Sequence, residues 1–306
     1  MRFFIFLLLT STQFSFAQSN QDSLYKHVVK LTELTYPRNS HHLEYVNKAA
    51  DYIKFSFGNE SKRVFFQKFE IEKVIFKNVI ASFGPDTGRR IIIGANYDVY
   101  GNTPGADANA SGVAGLLELG NLLSKINNLR YRIDLVAYAL GDSDIESLKA
   151  ENKGSFLHAK SLRENNIAVL GMINLDAIGF FTDVKKTQKY PLFFYKIMYG
   201  SRANFISLYR RHSDGYFARQ IKRLCVQYAG GIKVVGFNPI FCFRKMAEGD
   251  NQSYHQMDFA TLKISNTKTY RNNYIHKDVD TYETLDYSRM TQVVNMIYNA
   301  LIHFKE

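Results

Sequence analysis

The chain has 306 residues, 46% of them hydrophobic and 22% charged, with five Pro and no Trp. That balance is too apolar for a disordered chain and too poor in Pro and Gly for a fibrous one. Nor does any apolar run reach the ~18 residues that a membrane-spanning helix requires. Lys and Arg number 39 against 28 Asp and Glu, a formal charge of +11. These bases are spread along the chain without a recognition motif, so nucleic-acid binding is not expected.

At the amino terminus, Arg2, the apolar run Phe3 to Leu9 and the small residues of Ser15-Phe16-Ala17 have the layout of a secretory signal peptide cut before Gln18. Residues 1–17 are read as that peptide and 18–306 as one domain, exported to the periplasm or beyond. Leu43, Val46, Ala49, Ala50, Ile53 and Phe57 recur at helical spacing and stop at Gly58. Val64 to Phe69 alternates as a strand, Lys77 to Phe83 forms a second, and Arg90 to Ala95 a buried third. Ser111 to Leu123 is a helix, Ile133 to Leu140 a core strand, Ser155 to Asn165 a helix and Val169 to Leu175 a strand. The bases of Tyr209 to Arg223 suit the solvent face of a helix, and Tyr287 to Phe304 is amphipathic. Strands interleaved with helices imply a mainly parallel sheet covered on both faces. Cys225 and Cys242 either join in one disulfide or remain buried thiols; their spacing leaves both open.

In such sheets chemistry gathers past the carboxyl ends of the strands. Acidic residues stand at those ends in succession: Asp98 after RIIIGA, Asp107 in the next loop, Asp142 and Asp144 after DLVAYAL, and Asp176 after VLGMINL. His276 follows in a loop near the carboxyl terminus. Singly, each is an ordinary cap or turn former. Repeated at successive strand ends, carboxylates with a His suit a divalent metal such as zinc.

These segments resemble the M28 zinc peptidases. That family carries a strand ending His-x-Asp and then Gly-Ala-Asp-Asp-Asn-Ala-Ser-Gly at a helix start, to which RIIIGANYD and PGADANASG are similar. VAYAL followed by Gly141-Asp142 looks like its strand before a Glu-Glu pair. MINLDAIGF is similar to its Asn-Leu-Asp-Met-Ile-Gly element, and YRNNYIHKDVDTYETLDYSRM to its His-containing loop and last helix. The resemblance implies a three-layer α/β/α sandwich around a mixed, mainly parallel sheet, with two zinc ions that cleave residues from peptide amino termini. Carried over by position, Asp107 falls on the metal-bridging carboxylate, Asp176 on a second-metal ligand, His276 on a first-metal ligand, and Asp98 on the residue that orients the first His.

Several positions depart from the pattern. Asn96 stands for the first His, Gly141 for the general-base Glu, Asp142 for the ligand Glu and Ala108 for the loop's second Asp. An amide oxygen is a weak ligand beside an imidazole. Asp107, Asp142 and His276 would still make a three-ligand set with room for water. Gly141 can take no proton, and such transfer typically contributes ~10²–10⁴-fold. The resemblance therefore implies an impaired or inactive M28-like protein that binds peptide or protein amino termini, with one zinc favoured over two and none as the third case. The alternatives are a working zinc aminopeptidase with Asp142 or Asp144 as a rearranged base, and a single-zinc acyltransferase resembling the glutaminyl cyclases. His255 is expected to line a substrate pocket, and His41, His42, His158 and His212 to be surface or capping residues. The aromatics of Tyr190 to Tyr209 and Phe237 to Phe243 are expected to fill the core or wall that pocket.

Overall fold

A computed structural model describes residues 18–143, 145, 148–237 and 244–306. The expected signal peptide, Asp144, Cys242 and, of the aromatics from Phe237 to Phe243, those beyond Phe237 lie outside these residues.

Two helices open the fold, α1 (Gln21–Thr32) and α2 (Leu43–Gly58). Asn20 caps α1 by accepting the Asp22 amide at 2.8 Å, as an N-cap side chain should. A hairpin follows, β1 (Val64–Ile71) and β2 (Val74–Phe83), then β3 (Arg90–Asn96), α3 (Ser111–Ser124), β4 (Arg132–Tyr138), α4 (Gly154–Glu164) and β5 (Val169–Leu175). The second half holds α5 (Phe193–Tyr199), β6 (Phe205–Tyr209), α6 (Gly215–Gln227), β7 (Lys233–Phe237), α7 (Arg244–Ala247), α8 (Asn251–Gln256), β8 (Thr261–Ser265) and α9 (Tyr287–His303). The eight strands form one sheet in the order β1-β2-β4-β3-β5-β8-β6-β7. Its centre, β4-β3-β5-β8, is parallel throughout; β1, β2 and the β6–β8 pairing are antiparallel. The mixed, mainly parallel sandwich expected from the sequence is the architecture that forms.

Alternation along β3 shows how the layers are built. Ile91, Ile93 and Ala95 enter a large core with residues of α1, α2, α3, α6 and α9, whereas Ile92 faces the opposite side, where α4 and α8 pack. Both faces are covered, so the strand reads as a continuous apolar run. The helix and strand spans read from the sequence agree with those observed to within a few residues at each end. Seven elements have no clear periodic signal: α1, α5, α7, α8, β6, β7 and β8.

One expectation is corrected here. His158 is a buried residue of α4, not a surface or capping group: its Nδ1 meets the Tyr254 hydroxyl at 2.6 Å, and that hydroxyl lies 2.6 Å from Tyr138 Oη. Tyr190, Tyr195, Tyr199, Tyr209 and Phe237 fill a core as expected, packing on one another in a cluster beside Met246. Cys225 is a buried free thiol whose pKa burial pushes up to about 12.

Burial pushes the His158 imidazole down to about 4, against 6.5 for an ordinary His. Unfolding below pH 6.5 therefore takes up a proton that the native state refuses. This contribution is fully present above pH 6.5 and is lost as pH falls towards 4, by up to about 3 kcal/mol. Denaturant unfolding at pH 7.5 and at pH 4.5 should show a smaller acid loss in His158→Gln than in wild type. Equal losses in the two proteins would refute it.

Candidate functional site

The four parallel strands deliver their following residues to one edge of the sheet. Past β3 lies Asp98, past β4 Gly141 and Asp142, past β5 Asp176, and past β8 Asn266 and Lys268.

Asp98 organises the turn after β4. Its two oxygens accept the amides of Gly141 at 2.9 Å and Asp142 at 3.1 Å. Burial, with the Asp142 charge adding to it, raises the Asp98 carboxyl to about 7 against those two bonds. Asn96 is spent inside the protein: its oxygen accepts from Asn109 Nδ2 at 2.9 Å and its amide donates to the Asp98 carbonyl at 3.2 Å. Asn109 also donates to the Leu175 carbonyl and accepts the Ala177 amide, which ties β3 to β5.

Gly141 is held tightly. A Cβ at this position would lie 2.3 Å from Asn96 Cβ, a backbone-fixed atom that cannot swing aside. Gly141→Ala should therefore cost about 1–3 kcal/mol through overpacking, read as a lower denaturant midpoint. An unchanged midpoint would show that the turn has room for a side chain.

Asp107 is occupied by hydrogen-bond donors on both oxygens. Its Oδ1 accepts the Gly179 and Phe180 amides, both at 3.1 Å, and Asn266 Nδ2 at 2.9 Å. Its Oδ2 accepts Asn266 at 2.8 Å and Asn272 at 2.8 Å. A carboxylate so occupied has no lone pair directed at an ion. Asp280 fixes the backbone here, accepting the amides of Asp107 at 2.9 Å and Ala108 at 3.2 Å.

Asp176 is paired with lysines. Lys263 Nζ lies 2.7 Å from its Oδ2 and Lys268 Nζ 3.1 Å from its Oδ1. Burial alone would raise this carboxyl, but the two ammonium groups outweigh it and hold the pKa well below the usual range. Lys263, buried in the middle of β8, also donates to the Glu248 carbonyl. Its desolvation outweighs the attraction of Asp176, so its pKa is lowered. Lys268 is shifted the other way: its burial is outweighed by Asp176 and Asp142 together, and its pKa is raised.

Asp142 and His276 remain, and they meet each other, His276 Nε2 lying 3.2 Å from Asp142 Oδ2. Tyr100 stacks on the His276 ring at 5.0 Å. Asp142 has a lowered pKa because Lys268 and His276 outweigh its burial. Asp250, raised to about 6 by burial, completes the acidic set near Lys153.

The ligand set expected from the sequence is thus not assembled. The structure brings together Asp142, His276, Asp176 and Lys268, but turns Asp107 into a network of amides and gives Asp176 two ammonium partners. Among the described residues no group of three or more His, Cys, Asp or Glu stands ready to hold a metal. A zinc ion does not fit the donors as they stand. His255 is likewise elsewhere: it sits at the opposite end of the sheet, against Thr261 at the start of β8 and 3.3 Å from Asp214 Oδ1.

Lys263 and Lys268 were missed in the sequence because β8 was not read as a strand. A Lys inside Thr261-Leu262-Lys263-Ile264 was the available signal, since a charge there demands a buried partner.

A doubly covered mixed sheet with polar residues gathered past its parallel strand ends is a fold of the zinc-exopeptidase type. The sequence profile of peptidase family M28 matches residues 78–301, and the chain belongs to that family. It is 34% identical over 295 residues to the uncharacterized protein YfbL of Escherichia coli (strain K12), covering 94% of this chain and 89% of that one. Solved structures share the fold at lower identity. The LapA aminopeptidase of Legionella pneumophila superposes with a TM-score of 0.69 at 19% identity, covering 92% of this chain and 71% of LapA. The glutaminyl cyclase of Tannerella forsythia gives 0.70 at 20% identity, with coverages of 94% and 100%. A Zn-dependent exopeptidase from Parabacteroides distasonis gives 0.70 at 17%, with 95% and 100%.

Proposed function

We propose that this M28 chain is an exported protein without a resident zinc, whose peptidase chemistry is impaired or absent and whose cleft recognises peptide or protein amino termini. One observation carries the reading: Lys263 and Lys268 supply the positive charge beside Asp176. An ammonium group cannot lower the pKa of a bound water or polarise a carbonyl as a metal does. Gly141 adds to this, because the position offers no base. Recognition of an amino terminus would fall to Asp142, a carboxylate only partly covered at the cleft. Export is supported by the signal-like residues 1–17, with Ser19 already bonded to Asn295 at 2.8 Å just past the expected cut.

Metal analysis after dialysis should find far less than one zinc per chain, and hydrolysis of aminoacyl anilides should stay at background with or without added zinc. About one zinc per chain with chelator-sensitive hydrolysis would overturn the proposal and favour a working aminopeptidase with a rearranged base. A second reading is a glutaminyl-cyclase-like acyltransferase, since solved cyclases share the fold over 98–100% of their length, as the Parabacteroides distasonis exopeptidase also does. Cyclisation of a peptide with amino-terminal Gln would decide for it.

A further inference from the structure

Helix α5 carries an apolar face that is exposed among the described residues. Its sequence, Phe-Phe-Tyr-Lys-Ile-Met-Tyr, contains no buried residue. Phe193 is 75% exposed, Ile197 74% and Met198 62%, and Leu192 and Phe194 are exposed beside them. Steps of four residues align Phe193 with Ile197 and Phe194 with Met198 along the helix. The helix is nonetheless anchored from beneath. Tyr195 stacks on Tyr199 at 5.8 Å, and Tyr199 meets Phe237 edge-on at 5.1 Å. Contiguous exposed apolar surface of this kind marks an interaction site.

The charge around the patch is mainly positive, with Asp183, which pairs with Arg289, at its border. From Val184 to Ser213 the chain holds no Asp or Glu, while Lys185, Lys186, Lys189, Lys196 and Arg202 are all exposed. None of the five forms an ion pair among the described residues; Lys189 donates to Asn273 Oδ1 at 3.2 Å instead. A second copy of the chain would be a poor occupant, since a two-fold contact sets these cations against themselves. An apolar helix face rimmed by Lys suits the headgroup boundary of an anionic bilayer, where rings and aliphatic groups enter the acyl region and the bases meet lipid phosphates.

We propose that α5 and its basic rim dock this protein on an anionic phospholipid surface. The test is co-sedimentation of the full chain with vesicles of phosphatidylcholine alone or with about one third phosphatidylglycerol. Wild type should bind the anionic vesicles, weakly or not at all the zwitterionic ones, and should be released by salt as the Debye length shrinks. Phe193→Ser with Ile197→Ser should weaken binding about tenfold or more, and Lys185→Glu with Lys186→Glu by a similar factor. Both variants should keep the wild-type thermal midpoint, because these side chains are exposed. All proteins carry the same amino terminus, so residues 1–17 contribute equally throughout. Undiminished binding by both variants, or no preference for anionic vesicles, would overturn the proposal. So would a concentration-dependent dimer in ultracentrifugation that the Phe193→Ser/Ile197→Ser variant abolishes, which would assign the face to a second copy.

Discussion

Lys263→Met is expected to destabilise the protein by about 3 kcal/mol or more, because it removes one partner of a buried ion pair and strands the other. The side chains are similar in volume, so packing in β8 changes little. What changes is Asp176, buried and left with Lys268 alone. In a chain of this size the loss should appear as a fall in thermal midpoint of roughly 5 °C. Asp176→Leu should also destabilise, since Lys263 then stays buried with only the Glu248 carbonyl as partner. Combining the two should recover much of the loss, as replacing both members of a buried pair with apolar groups commonly does. Double-mutant unfolding in denaturant measures this directly. Simple additivity of the two losses would show that the pair is not coupled and remove the basis for the lysine-filled cleft. Added zinc should not rescue either variant, because Asp107 and Asn96 remain engaged in their own hydrogen bonds.

The sequence carried the sheet centre well for a physical reason. β3, β4 and β5 are buried on both faces, so they read as unbroken apolar runs between turn signals, and the acids just past them are visible at once. β6 and β8 are only five residues long, and β8 holds a Lys at its middle and a Thr and Ser at its ends, so no apolar run betrays it. That omission hid Lys263 and Lys268, and with them the cation already beside Asp176. Asp107 could not be judged from sequence either. Its role depends on Asn266 and Asn272, more than 150 residues away, whose amides reach it only once β8 has docked. His255 failed in the same way: its local motif says nothing about which end of the sheet it occupies.

Asn96 and Gly141 are better understood together than apart. Each substitution taken alone removes a chemical group expected from the family pattern. In the folded chain the two positions touch, with no room between them for a side chain at 141. Placing a Glu there thus faces a steric obstacle, because the turn that Asp98 holds is packed against Asn96.

Arg38→Met should be the most damaging single change outside the cleft, and it tests how the site's backbone is kept in place. Arg38 is fully buried, and its guanidinium donates to four carbonyls: Nε to Tyr97 at 2.7 Å, Nη1 to Leu31 at 2.8 Å and Pro104 at 2.5 Å, and Nη2 to Gly105 at 2.8 Å. One side chain therefore ties the end of α1 to the residues just before Asp98 and to the loop that enters Asp107. Burial lowers its pKa to about 10, still charged at neutral pH, with Asp280 and Asp98 opposing the shift. Methionine would leave four buried carbonyls without donors, each costing about 1–3 kcal/mol where water cannot reach. Allowing for relaxation, the expected loss is about 4 kcal/mol, larger than that of an average core mutation. Arg38→Lys should recover only part of it, because an ammonium on a flexible stem cannot span the four acceptors as the planar fork does. Hydrogen exchange should show faster exchange at Val99 and Ala106, whose amides bond to the Arg38 and Asp280 carbonyls at 3.2 and 3.0 Å. Wild-type exchange at those two amides together with a wild-type denaturant midpoint would show that the loop holds its shape without Arg38.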